Sequence, residues 1–466
     1  MQSKWSKSQA TRRSLFLENL EGRALLAGNV LAAVDGSVLK ITGDDAANGV
    51  LIRLVSEKPA GSTTPVVKIA VVGVPTRDGT TTVPTTINGY GRGFLVSPEG
   101  LTGISVNLGA GNDGLGINNP PPADKSLPPV PVRLPGTVSI STGEGNDSVS
   151  GMIDNNTSVS IDLGNGSDRL SLGGSRVKDL GILTDGTADA NVGEDQVFLE
   201  RLNVLGKTNI GMGAGVDKLG IKGAAFAGPV GIGLGPGNDN VLIAAGVDAP
   251  PVNFAAGLEI NGGLDNDVIG LANVTLAGAT SHLKIVGDPL PPAGSTTPPL
   301  GGDDQVLLDT VKVGGNTHIA AGVGNDRVGI KGASAFTGPV GIGLGAGNDG
   351  LLMGSALGAP AITFAAGLEV GGDLGDDNIG LSGVNVTGRL SVNAGAGNDR
   401  VALDRVNATD RILAALGAGN DHLGVKGSKS PLAAFDGGED TDAYLSLDNT
   451  FGATTSVNFE PLPPPK

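Results

Sequence analysis

The sequence predicts an all-β protein: a single right-handed parallel β-helix with three short strands in each rung of about 22 residues. Three observations predict it. A glycine-rich phrase ending in Asp returns fourteen times, at Asp113, Asp147, Asp168, Asp195, Asp217, Asp239, Asp267, Asp304, Asp326, Asp349, Asp377, Asp399, Asp421 and Asp442, and eight of the thirteen gaps between them span 21–23 residues. The residue two after the Asp is apolar in all fourteen copies, and the residue four after it in twelve. Gly stands four before the Asp in eleven copies and two before it in twelve. A fixed period of this length marks a solenoid, one quasi-linear body rather than the several globules that 466 residues would otherwise suggest.

Residues 1–27 stand apart from the rest. Lys4, Lys7, Arg12, Arg13 and Arg23 outnumber Glu18 and Glu21, a basic start of the kind that opens an export signal, although the apolar run Leu15-Phe16-Leu17 stops at Glu18. Residues 28–100 read as worn opening rungs with loop insertions that cap the rod. There Val38-Leu39-Lys40-Ile41-Thr42 runs into Gly43-Asp44-Asp45, a faded copy of the phrase.

Residues 101–450 form the body. In the unit from Asp304 to Asp326, Val306 and Leu308, then Val311 and Val313, then a segment ending in Ile319 each alternate with period two, the strand signature. Rungs stacked like on like would bury aliphatic columns worth roughly 1.5–3 kcal/mol per side chain before entropy is counted. About sixteen rungs at ~4.8 Å give a rod on the order of 70–75 Å long. Right-handed coiling follows from the preference of parallel crossovers. The paired glycines permit positive φ and close backbone approach at a tight corner, and Asn or Asp tolerates the same conformation. Proline-rich stretches near 118–135 and 288–301, and a looser pair within 57–88, should loop out from corners, since Pro cannot serve a central strand. A larger repeat overlies the small one: Gly220-Ile221-Lys222-Gly223 matches Gly329-Ile330-Lys331-Gly332 at an offset of 109 residues. Residues 451–466 form a Pro-rich tail.

Composition narrows the function. Net charge is −16, the reverse of a nucleic-acid footprint. With no Cys there is neither a disulfide nor a thiolate site. No stretch approaches the ~18 apolar residues of a transmembrane helix. Aromatic residues are 3% of the chain, too few for the stacking platforms of a sugar-active groove. Lys222, Lys331 and Lys426 recur five after their Asp and read as solvated edge residues rather than a catalytic row. His282, His318 and His422 show no metal or triad spacing.

Two resemblances sharpen this. Leu17-Glu18-Asn19-Leu20-Glu21-Gly22-Arg23-Ala24-Leu25-Leu26-Ala27 resembles the L-E-x-L-E-x-R-x-L-L-A leader of many large exported and surface proteins of certain budding Gram-negative bacteria. It implies export, with removal near Ala27; read without it, the segment is a short amphipathic cap helix. Gly109, Gly111, Asp113 and Leu115, and again Gly345, Gly347, Asp349 and Leu351, resemble the haemolysin-type (RTX) calcium repeat G-G-x-G-x-D-x-U-x. That resemblance implies Ca²⁺ held by stacked carboxylates and turn carbonyls, with Asp113, Asp147, Asp168, Asp217, Asp239, Asp326, Asp349, Asp377, Asp399 and Asp421 as ligands. The motif departs from the family in two ways: it recurs once per rung instead of every nine residues, and Leu108 or Leu344 replaces the first Gly.

The same residues also allow a side-chain ladder that satisfies the turn without an ion. In that case Arg169, Lys218, Arg327 and Arg400 would neutralise the Asp beside them. The expected function is a non-enzymatic, exported surface or matrix protein, structural or adhesive, associated with the cell envelope and stiffened by calcium. The alternative is a carbohydrate-active β-helix enzyme, a polysaccharide lyase or hydrolase, which would concentrate its polar groups in a few unlike rungs. An ice- or surface-binding solenoid would need a flat ladder of one small polar residue, and no fixed position carries one.

Overall fold

Alternation sets the strands. After Asp326 the segment Arg327–Lys331 is a strand with Val328 and Ile330 turned inward and buried. The two-residue strand Ala335–Phe336 and the seven-residue strand Val340–Ala346 complete the rung. Each pairs in parallel with its counterparts one rung away: Val328 lies between Val306 and Leu351, Phe336 between Val313 and Phe364, and Ile342 between Ile319 and Val370. The protein is therefore all-β, a parallel β-helix with three strand columns. This computed structural model describes residues 28–78, 81–185, 193–245, 250–288, 301–355 and 358–460; the expected leader, most of the insertion near 288–301 and the end of the Pro-rich tail lie outside them.

Register makes the core. Like residues stack on like, so the two positions after each Asp that the pattern marks as apolar, such as Val401 and Leu403 or Ile379 and Leu381, form continuous buried columns. The second column carries paired rings. Phe226 stacks on Phe254 at 5.1 Å and Phe336 on Phe364 at 5.0 Å, each pair within 7° of parallel. The larger repeat spans four rungs, since the strand ending at Lys222 reaches that ending at Lys331 through four successive parallel pairings.

Two corners need left-handed backbone. One is the glycine turn before the Asp. The other is the residue six after it, where Gly174, Gly223, Gly332, Gly383 and Gly427 have positive φ, but so do Arg201, Asn273, Thr310 and Arg405. The mixed occupancy hid this second corner from sequence reasoning.

At the N-terminal end the period-two pattern gives strands that run the other way. Gly28–Asp35 and Val38–Thr42 form an antiparallel hairpin, as do Gly49–Glu57 and Val66–Gly73. Val38–Thr42 and the start of Gly49–Glu57 then pair in parallel with Gly103–Asn107 and Gly114–Ile117, which begins the regular stacking. The first proline-rich stretch within 57–88, residues 58–65, joins the two strands of the second hairpin. The one near 118–135 leaves the body after Gly114–Ile117 and returns at Val132–Arg133.

Candidate functional site: the buried aspartate seam

The glycine turn is built by exclusion. Gly345 and Gly347 have φ of +115° and +144°, and a Cβ on either would lie 1.8 or 1.9 Å from the carbonyl oxygen of Gly322 or Gly324 in the rung below. Conformation and space both demand glycine there. Where the described turns lack it, Asp takes the left-handed position: Asp265, Asp373 and Asp440, with φ of 74°, 77° and 75°. Asp and Asn are the side chains that tolerate this region best.

This turn aims the repeat Asp inward. All fourteen are buried, none more than 3% exposed. Each carboxylate reaches back one rung. Oδ1 of Asp147 accepts the backbone N–H of Asp113 at 2.7 Å, Oδ1 of Asp168 that of Asp147 at 2.7 Å, and the relation continues to Asp442, which accepts from Asp421 at 2.9 Å. The ten aspartates expected as calcium ligands all lie in this file, together with Asp195, Asp267, Asp304 and Asp442.

Two members escaped the sequence reading. Asn48 opens the seam by donating its N–H to Asp113 Oδ1 at 2.6 Å, and Glu460 closes it by accepting from Asp442 N–H. Asn48 is legible in the sequence, because Val50 and Ile52 follow it at the apolar spacing, although Gly43-Asp44-Asp45 is the more visible copy of the phrase. Glu460 carries no repeat signature.

A second ladder runs outside in the opposite sense. In most rungs the residue before the Asp donates its N–H to the side chain of the rung below: Asn348 to Asn325 Oδ1 at 3.0 Å, Asp376 to Asn348 at 2.7 Å and Asn398 to Asp376 at 2.7 Å, whereas Val216 interrupts the ladder because its side chain has no acceptor. Where this ladder is continuous, the dipeptide before a strand ties its rung to both neighbours.

The other carboxylate oxygen is the unusual group. Oδ2 of every seam Asp is buried and has no hydrogen-bond partner. At Gly262, Gly372 and Gly437 it faces the position five before its own Asp and a carbonyl of the next rung, whereas beside Asp147 and Asp195 the Thr142 and Thr184 hydroxyls lie against the carboxyl and donate to Leu163 O and Met212 O. A Cβ on Gly372 would meet Ala394 O at 2.1 Å and Asp377 Oδ2 at 2.3 Å, so two acceptor oxygens flank one spot with no donor between them.

Burial pushes these carboxyls up. Asp168 rises to about 9, Asp113, Asp217, Asp267 and Asp304 to about 8, and Asp239, Asp326 and Asp377 to about 7. Asp421 rises to about 6, and Asp147, Asp195, Asp349, Asp399 and Asp442 are also raised by burial. The accepted backbone N–H works against burial in each case. A proton on Oδ2 would supply the missing donor toward the neighbouring carbonyl.

The adjacent bases do not neutralise the seam. Neighbouring strand residues point to opposite faces. Arg169 is exposed, bonds Gln196 and lies over Phe198, while Asp168 beside it has the highest of these values. The recurring lysines belong to the outer face as well. Lys222 pairs across strands with Glu200, Lys331 with Asp309 (3.4 Å between charged atoms) and Lys426 with Asp404, so each faces an acid one rung below.

As folded, the seam offers a cation about two oxygens per rung, the free Oδ2 and a carbonyl, against the 6–8 that Ca²⁺ takes. Among the described residues no three His, Cys, Asp or Glu side chains gather closely enough to hold a metal. Neither of the histidines at 318 and 422 is buried, and His282 pairs with Glu259 at 3.0 Å. No family model matches the chain, and comparisons with curated proteins and with solved structures find no match either.

Proposed function

We propose that the chain is a non-enzymatic rod of a bacterial surface or extracellular matrix, exported by its leader and serving as a spacer or adhesive body. The observation that carries this reading is the sameness of the rungs. From Gly103 to Val457 the three columns repeat with in-register parallel pairing, and the outward positions mix glycine and aliphatic residues with scattered charges such as Arg169, Lys222 and Lys331. One surface concavity is a groove between rungs lined by Leu307, Gly329 and Leu352 of the repeat, and another lies where Leu54 and Val67 of the N-terminal hairpin meet Arg133 and Asp154. A spacer needs such uniformity, whereas a carbohydrate-active enzyme needs one rung unlike the rest.

Cell fractionation with immunolabelling of the producing organism tests this reading. Signal on the outer surface or in the matrix is expected, and a cytosolic pool alone overturns it. Turnover of any member of an acidic-polysaccharide panel would favour the enzyme instead.

A calcium-stiffened rod is the second reading. It is favoured by the unpartnered Oδ2 in every rung and by the RTX-like turn. Thermal melts above the seam's titration range, with calcium and then with chelator, decide it: an unchanged curve removes calcium, while a large upward shift would mean that the turn rearranges to complete a coordination shell.

A further inference from the structure

The two ends of the rod differ. At the N-terminal end the sheets finish in strands of three residues, Thr85–Ile87 in one and Phe94–Val96 in the other, the latter antiparallel to its neighbour. Short, reversed edge strands block further pairing. At the C-terminal end the last rung presents full-length strands, Ala443–Leu447 and Thr450–Val457, each paired only on its inner side. No described strand covers their outer edges.

This end has the character of an interface. Thr450-Phe451-Gly452-Ala453-Thr454-Thr455-Ser456-Val457 contains no charge and no proline, the two devices that usually protect an edge. Beside it Leu445 and Leu447 are 59% and 47% exposed. Tyr444, Phe451 and Phe459 are half-buried around Phe435 and gather within 6.0 Å of one another's ring centres in sequence of contact. Only the seam itself is closed, by Glu460.

We propose that this end binds the same end of a second copy of the chain, tail to tail, with the two Thr450–Val457 strands pairing antiparallel about a two-fold axis. Three observations choose that occupant. The N-terminal end cannot accept it, because its edges are short and reversed, so head-to-tail stacking is blocked. Antiparallel self-pairing of an uncharged strand sets no like charges opposite each other, although the whole chain carries −16. Residues 461–466 include four prolines and so offer few N–H donors for the edge, while the segment before Gly28 joins at the far end of the rod. Isologous two-fold contacts are also the commonest way like chains associate.

Sedimentation velocity and small-angle scattering of the full chain test this. The expected result is a dimer whose longest dimension is about twice the roughly 75 Å of one rod. Thr455→Pro should return it to a monomer. The pair Thr454→Lys with Ser456→Lys should do the same through charge repulsion, with an unchanged far-UV circular dichroism spectrum. A monomer at all attainable concentrations overturns the proposal. So does a dimer no longer than one rod, or a long dimer that the lysine pair leaves intact. None of these outcomes bears on export or calcium, so this inference and the proposed function fail separately.

Discussion

Raising the pH should loosen this protein, the reverse of ordinary acid denaturation. Eight seam aspartates, Asp113, Asp168, Asp217, Asp239, Asp267, Asp304, Asp326 and Asp377, have folded values of about 7 to 9 against an ordinary 3.8. A carboxyl raised on folding contributes stability that is fully present below its unfolded value and is lost as pH climbs through its folded value. Near pH 5.5 each of the eight holds a proton when folded and has mostly lost it when unfolded. Each then costs about 1.4 kcal/mol of stability per pH unit. Even if repulsion along the file spreads the titration and only half contribute at one pH, the slope is on the order of 5 kcal/mol per unit. The exposed acids with lowered values, such as Asp35 and Asp376, pull the other way, but only below the ordinary carboxylate range.

Melting curves between about pH 5 and pH 9 in chelating buffer read the effect, and the transition should fall steadily as pH rises. Unfolding in weakly buffered denaturant near pH 6 should release several protons per chain. The substitution Asp217→Asn separates causes. It keeps the acceptor oxygen and removes the charge, as Asn48 already does at the head of the seam, where its Nδ2 donates to Leu108 O at 3.2 Å. It should be close to neutral at about pH 4 and increasingly stabilising from there to about pH 8. A melting temperature that is flat or rising over this range would refute the reasoning, because it would mean the folded seam is ionised. Destabilisation by Asp217→Asn at the higher pH would refute it equally.

The remaining predictions concern packing and the ends. Gly235→Ala places a Cβ 1.7 Å from Gly213 O at a φ of +106°, and should cost about 3 kcal/mol or more in chemical denaturation, whereas Gly233→Ala, with open space and ordinary φ, should be nearly silent. Phe364→Ala removes a buried ring from its stack on Phe336 and should cost about 3–5 kcal/mol by the same assay. Glu460→Ala leaves the Asp442 N–H without its acceptor, and should cost about 1–3 kcal/mol locally, read as faster amide exchange in the last rung with the middle of the rod unchanged.

Most of the architecture was legible because a solenoid writes its register into its period. The apolar residues two and four after each Asp, the three strands per rung and the glycine corner all follow from spacing and sterics, and the structure has Val328, Ile330 and Gly345 where that spacing puts them. Strand direction was not legible: alternation in Val38–Thr42 or Val66–Gly73 marks a strand and its faces, but says nothing about which way its neighbour runs. The seam was half legible. Its fourteen members stood out, yet a carboxylate at a glycine turn reads as a solvent-facing ligand, and only the three-dimensional turn shows that it points inward to a backbone N–H. The bases at Arg169 and Lys218 looked like partners from sequence adjacency, which in a strand means opposite faces.

The two ladders also explain why stability in this rod should be graded along its length. In a stacked array each rung is held by its neighbours, so an interior rung has two interfaces and a terminal rung one. Here each interior turn is tied inward to one neighbour through Asp, and most, as from 303 to 420, are tied outward to the other through Asn or Asp, so a break at one such rung unties both. The N-terminal rungs replace the missing neighbour with two antiparallel hairpins packed on the first regular strands. Among the described residues, the C-terminal rung is closed by the Glu460 carboxylate and a half-buried aromatic cluster. Opening should therefore begin at the C-terminal end and travel inward, and whatever covers that end should raise the stability of the whole rod without touching any other rung. Amide exchange measured at low and high protein concentration separates the two states: protection of 443–457 that rises with concentration means the end is covered by another copy, and protection that does not change means it is closed by the chain itself.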